Sequence, residues 1–228
     1  PGIRRVVSLR YDFRVALFDY ASSPHAVPGE IADAHRGAWQ RIASPGSWWT
    51  GAQRIEAARL AREARSQRSS APWQRAQPLP AAGVLPPRAS DLVLRVAVDV
   101  HTLDADWVAE TVAQLGDGAY VELCAVVVCT TAVDAFAEAL GVELEPLPDA
   151  LPGEPDRVRP EGMGDVGAFV PMAENQAGPN VARALSLAPQ DNAAFFGLVG
   201  TMYAFTNFAE LVWKDSALSR PQVELVAA

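Results

Sequence analysis

Two cysteines, three histidines and a few glutamates are the side chains of this 228-residue chain whose types could carry chemistry. Cys124 and Cys129 lie five residues apart in Leu-Cys-Ala-Val-Val-Val-Cys. On a helix that separation is about 7.5 Å of rise with the side chains well apart around the axis, beyond the roughly 7 Å Cα separation a disulfide tolerates. Both therefore read as small core residues. His25, His35 and His101 match no metal-ligand spacing, because no Cys or acidic residue stands at the offset that would complete a helical His pair. No metal site is expected. His35, in Ala-Asp-Ala-His-Arg-Gly-Ala-Trp39, is expected near a helix surface or an interface. Gly162, Gly164 and Gly167 lack the preceding strand and following helix of a phosphate cradle, so no nucleotide cofactor is expected. Glu224 falls in the opening turns of a helix, where a carboxylate favours the macrodipole.

Helices must position these groups, since no run of alternating strand residues competes with the helical periodicities. Thr50-Gly-Ala-Gln53 has capping-box spacing, and the helix it opens runs through Ile55, Ala58, Ala61 and Ala64 until the Ser/Pro-rich stretch from Ser66 to Pro87. A second helix starts near Thr102 or Asp104 and stops at Gly116; a third spans Tyr120 to Leu140 and closes at Gly141. The seven prolines between Pro146 and Pro179 predict a long loop. Asn180 caps a short helix, Asp191 caps an apolar one through Phe208, and Ser219-Arg-Pro-Gln222 repeats the capping-box spacing. Ile55-Glu56-Ala57, Val121-Glu122-Leu123 and Val223-Glu224-Leu225 form a weak internal repeat. The fold expected is all-α. Its parts are an N-terminal helical half with a Pro-rich linker (1–90), a central helical core (91–145), a Pro/Gly-rich loop (146–179) and C-terminal helices (180–228).

Half of the residues are apolar and a fifth are charged, enough for a real core. A net charge of -8 argues against a nucleic-acid or anionic-membrane partner, which would need a clustered basic surface. The one basic stretch, Arg54 to Arg75, interleaves with Ala and Glu and reads as a solvated helix face. Two cysteines exclude a disulfide scaffold and point to a reducing, cytoplasmic setting. Eighteen uncharged residues from Asn192 to Ala209 approach the length of a membrane span, but the Asn, Thr and Gly among them favour a buried core helix. Trp48-Trp49 beside a capped helix suggests a packed helix junction or a subunit contact.

Trp48-Trp-Thr-Gly-Ala-Gln-Arg54, Leu94-Arg-Val-Ala-Val-Asp99, Tyr120-Val-Glu-Leu123, Ala139-Leu-Gly141, Arg183-Ala-Leu-Ser-Leu187 and Leu218-Ser-Arg-Pro-Gln-Val-Glu-Leu225 are short, and their order carries the specificity. Together, from about Ala34 onward, the chain resembles the alkylhydroperoxidase-like and carboxymuconolactone decarboxylase-like superfamily, in its two-part, peroxidase-related form. The resemblance implies a duplicated alkylhydroperoxidase-like helical bundle, a homo-oligomer and a thiol reductant protein as partner. It also implies thiol peroxidase chemistry: a peroxidatic thiolate, a resolving thiol, and a Glu and a His that relay the proton. The family motif sets Cys-x-x-Cys twelve residues beyond its Glu. Here Glu56 leads to Arg68 and Glu122 to Asp134, while Glu224 lies four residues from Ala228. By resemblance Glu224 holds the relay position, with its cysteine partners absent, and the chain reads as truncated before the motif. Two alternatives stand beside peroxide reduction: a non-catalytic all-α oligomerisation or binding module, and a carboxymuconolactone decarboxylase-like lyase, for which no acid and base residues can be matched.

Overall fold

The computed structural model describes residues 17–67, 83–175, 180–202 and 217–227. Among them the chain is all-α, with eight α-helices and one two-residue antiparallel ladder pairing Met163 with Ala173 and Gly164 with Met172. The helices are α1 (Gly29–Ala43), α2 (Gly51–Ser66), α3 (Pro87–Val98), α4 (Ala105–Leu115), α5 (Asp117–Leu140), α6 (Asn180–Arg183), α7 (Pro189–Met202) and α8 (Arg220–Ala227).

α5 is the axis of the bundle, with α1, α2, α3, α4 and α7 packed on it. Fourteen of its residues are buried, including Val121, Leu123, Val126 and Val133. Burying a side chain of that size contributes about 1.5–3 kcal/mol, and burial of most of its surface explains why apolar residues dominate α5. Among the described residues it is the one helix long and apolar enough to cross a membrane. Its two buried acids, Glu122 and Asp134, each pair with an arginine of α2, which marks α5 as the centre of a helix bundle.

Local signals set the helix ends. Thr50 accepts from the Gln53 backbone N–H while the Gln53 side chain accepts from the Thr50 N–H, completing the capping box that opens α2. Asp104 caps α4 through the Trp107 N–H. Gly116, at φ 88°, turns the chain from α4 directly into α5, a conformation that only glycine adopts cheaply. α3 corrects the sequence reading, which placed Pro87 in a helix-breaking segment. Pro87 is instead the first residue of α3, where a missing N–H costs nothing and the fixed φ suits the helix.

The arginines of α2 overturn another expectation. Arg54 is fully buried, Arg62 donates to both oxygens of Asp134 at 2.8 and 2.6 Å, and Arg65 bridges Glu138 at 2.7 Å. The partners rise in the same order along both helices, so α2 and α5 run parallel and face each other through a row of ion pairs. Arg59 stays half exposed between Glu56 and Glu63 on its own helix. Residues 142–175 form an irregular strap tied to the α1–α2 corner. Its ties are the Leu151 N–H to Ala43 O, the Arg157 N–H to Ser47 O and the Trp39 indole N–H to Pro146 O, each at 2.9 Å.

Candidate functional site

The densest polar constellation lies where α1, α2, α5 and α7 meet. Arg54 sits on the first turns of α2 with its side chain fully buried. Its Nη1 donates to Glu122 Oε1 at 2.6 Å and its Nη2 to Asp191 Oδ1 at 2.5 Å, while the Ile42 and Arg41 carbonyls take further donors at 3.4 and 3.1 Å. Arg41 grips Asp191 as well, Nε to Oδ1 at 3.0 Å and Nη2 to Oδ2 at 2.9 Å. Two cations and two anions thus balance inside the protein, the condition under which buried charges are tolerated.

The turn between α1 and α2 closes over the second anion. The Trp48 N–H donates to Glu122 Oε2 at 2.8 Å. A Cβ on Gly46 would lie 1.7 Å from Glu122 Oε1, and one on Gly118 would lie 2.2 Å from Trp48 Nε1, so both positions require the absence of a side chain. Trp49 completes the junction by donating from Nε1 to Ala119 O at 2.8 Å. This is the packed helix junction that Trp48-Trp49 suggested.

The environment sets each charge. Burial holds the Glu122 carboxyl above its ordinary range and the Asp191 charge adds to this, against the pull of Arg54 and the Trp48 N–H. Asp191 is also penalised by burial, but Arg54 and Arg41 outweigh it and hold the carboxyl low. Burial works against the Arg54 cation too, and its two carboxylates more than compensate, raising it. Asp191 was expected to cap α7. Instead the helix starts two residues earlier at Pro189, and the Asp191 carboxylate is taken by the two arginines.

A second polar group lies against the C-terminal half of α5 and the end of α7. His35 is fully buried, not at a surface, inside an aromatic box whose Phe18, Tyr20 and Phe136 rings lie 5.0–5.8 Å from the imidazole. Tyr20 Oη hydrogen-bonds to Nδ1, and Nε2 lies 3.2 Å from Met202 Sδ. A thioether can only accept, so Nε2 carries the proton and Nδ1 accepts from the tyrosine. Burial lowers the His35 pKa to about 4, which keeps the ring neutral at pH 7.

The remaining candidates are dispersed. Cys129 is buried and Cys124 half-buried on α5. Burial pushes both thiols up to about 12; the Asp191 charge adds to this at Cys129, and the Tyr120 hydroxyl opposes it at Cys124. At pH 7 a thiol of that pKa is a thiolate in about one molecule in 10⁵. Glu224 lies on α8 with its side chain half exposed and accepts from Arg220 at 3.4 Å. The three glutamates of the internal repeat have separate surroundings: Glu56 pairs with Arg59, Glu122 with Arg54, and Glu224 with Arg220. His25 and His101 are exposed. Among the described residues no three His, Cys, Asp or Glu side chains are grouped to hold a metal ion. An open cavity of about 310 Å³ beside α2 and α5 is lined by Arg62, Arg65, Asp134 and Glu138, whose charges pair with one another. Comparison of the chain with family models, with curated proteins and with solved structures gave no match.

Sequence reasoning missed the Arg54–Glu122–Asp191 cluster. The available signal was an acid inside an apolar run, Tyr-Val-Glu-Leu-Cys-Ala-Val, because a carboxylate so placed needs a buried cation.

Proposed function

We propose that this all-α chain acts as a non-catalytic scaffold of the alkylhydroperoxidase-like kind, an assembly or binding module whose own two thiols perform no redox chemistry. The observation that carries this reading is the state of those thiols: both sit on α5, five residues apart, and burial holds them near 12. Peroxide reduction needs a thiolate that hydroperoxide can reach and a second sulfur close enough to form the disulfide. The Arg54 cluster serves the scaffold as an internal clamp that joins four helices at one point. A self-associating helical bundle in a reducing compartment follows from this reading.

The test uses the reduced protein. Ellman's reagent is expected to leave both thiols unreacted until denaturant is added, hydroperoxide to remain unconsumed, and light scattering to give the mass of an oligomer. Thiol-dependent turnover of hydroperoxide by these 228 residues would overturn the proposal.

One observation favours a second reading, in which the chain is part of a duplicated alkylhydroperoxidase-like peroxidase. At the start of α8 the Gln222 side chain accepts from the Ser219 N–H at 2.8 Å, and the helix it opens presents Glu224 to solvent, as a proton relay requires. The coding sequence beyond Ala228 decides this reading: Cys-x-x-Cys twelve residues after Glu224 supports it, and a sequence without paired cysteines there removes it.

A further inference from the structure

α7 is held differently from the helices around it. Among its described residues only Asp191 and Leu198 are buried, whereas Phe196, Gly197 and Gly200 face outward. The segment just before it is firmly seated, with Leu185, Leu187 and Ala188 in the core. The seated chain therefore ends at Ala188, and Asp191, one turn further on, is the first grip beyond it. That grip is made of charge, both Asp191 oxygens lying between Arg41 on α1 and Arg54 on α2. The last described contact of α7 is Met202 Sδ against His35 Nε2.

We propose that α7 is a charge-latched strap that opens as a unit ahead of the rest of the bundle, pivoting at Ala188–Pro189, with the Asp191 carboxylate as its catch and His35 as the group it uncovers. Charge balance makes such an opening possible. When α7 leaves, Arg54 keeps Glu122 at 2.6 Å, so no buried charge is orphaned. Arg41, already 15% exposed, and the departing Asp191 pass to water, which solvates both. The apolar side chains that α7 itself contributes are few, Leu198 with the partly buried Phe195 and Met202, set against α1 and α5. Of the other helices packed on α5, α1 and α2 bury seven or more residues, α3 five and α4 three, against two on α7. Local opening is expected where buried apolar contacts are fewest.

Hydrogen exchange by mass spectrometry on the whole chain tests the strap. In the wild type, amides of 192–202 are expected to exchange at least about tenfold faster than those of α2 and α5, through an opening that depends only weakly on urea. Asp191→Asn should raise α7 exchange by about a further tenfold while leaving α2 and α5 within about twofold of the wild type. Exchange of α7 in step with α2 and α5, in the wild type or the variant, would overturn the proposal. Should Asp191→Asn fail to fold, Leu198→Ala provides the same comparison: acceleration confined to α7 upholds the strap, and equal acceleration in all three helices refutes it.

Discussion

Replacing Arg54 with Met keeps an unbranched apolar stem and deletes the cation at the meeting point of four helices. Asp191 retains Arg41, but Glu122, with no side-chain exposure, is left with only the Trp48 N–H. Breaking a buried pair by removing one partner costs about 3–5 kcal/mol. The structure narrows that range, since Glu122 can escape an unpaired charge by binding a proton. Bringing a carboxyl of ordinary pKa 4.5 to the neutral form at pH 7 costs about 3.4 kcal/mol, and this limits the Glu122 share of the loss. In the variant the folded pKa stands above the unfolded one, so the folded state holds the extra proton and its stability falls as pH rises. Relative to the wild type at the same pH, whose own Glu122 carboxyl already stands above 4.5, the Glu122 part of the deficit is expected to stay below about 3.4 kcal/mol at pH 7 and to shrink by up to about 1.4 kcal/mol per unit as pH falls, until the wild-type carboxyl is itself protonated. Urea unfolding followed by far-UV circular dichroism at pH 7, 6 and 5, on wild type and variant together, measures both quantities. Adding Glu122→Gln to Arg54→Met should abolish the slope. A deficit below about 1 kcal/mol at pH 7, or one that does not change with pH, would refute the account of Arg54 as the essential counter-ion of Glu122.

Gly46→Ala drives a methyl group into a carboxylate that Arg54 and the Trp48 N–H hold in place, and a loss of about 1–3 kcal/mol in urea unfolding is expected. His35 gives the wild type its own acid dependence: its folded pKa, about 4, lies below the unfolded value of 6.5, so the unfolded chain takes up the proton first. Stability should fall by about 3 kcal/mol as pH drops from about 6.5 to about 4 and then level off, and His35→Phe should remove that part of a pH titration of the urea midpoint. Glu224→Gln, on a half-exposed side chain that pairs with Arg220 one turn back, should move the midpoint by less than about 0.5 kcal/mol. A larger shift would place Glu224 in a contact tighter than a surface pair.

The sequence made the local devices legible. The Thr50–Gln53 box and the Gly141 stop each depend on residues within one turn and stand where their spacing put them, and of the two starts offered for α4, Thr102 and Asp104, Asp104 is the one that caps the helix. The candidate site was illegible because its partners are 68 and 137 positions apart, and nothing near Arg54 in the sequence distinguishes it from the other arginines of α2. Asp191 misled for a related reason. An Asp before an apolar run resembles a cap, yet Pro189 opens the helix two residues sooner and two remote arginines claim the carboxylate. His35 reads as a surface residue beside Asp33 and Arg36, and only the folded aromatic box explains its burial. The apolar run expected through Phe208 is described only as far as Met202; the rest of it lies outside the described residues.

The parallel row Arg54–Glu122, Arg62–Asp134 and Arg65–Glu138 has a consequence for how this bundle can change over generations. A helix that gains one turn moves everything beyond the insertion by about 5.4 Å, farther than a guanidinium can follow its acid. A four-residue insertion in α2 between Arg54 and Arg62 would therefore strand two pairs at once. The same insertion matched in α5 between Glu122 and Asp134 would preserve all three. Length variation in these two helices should accordingly be inherited jointly, while the apolar residues between the pairs remain free to exchange size with one another.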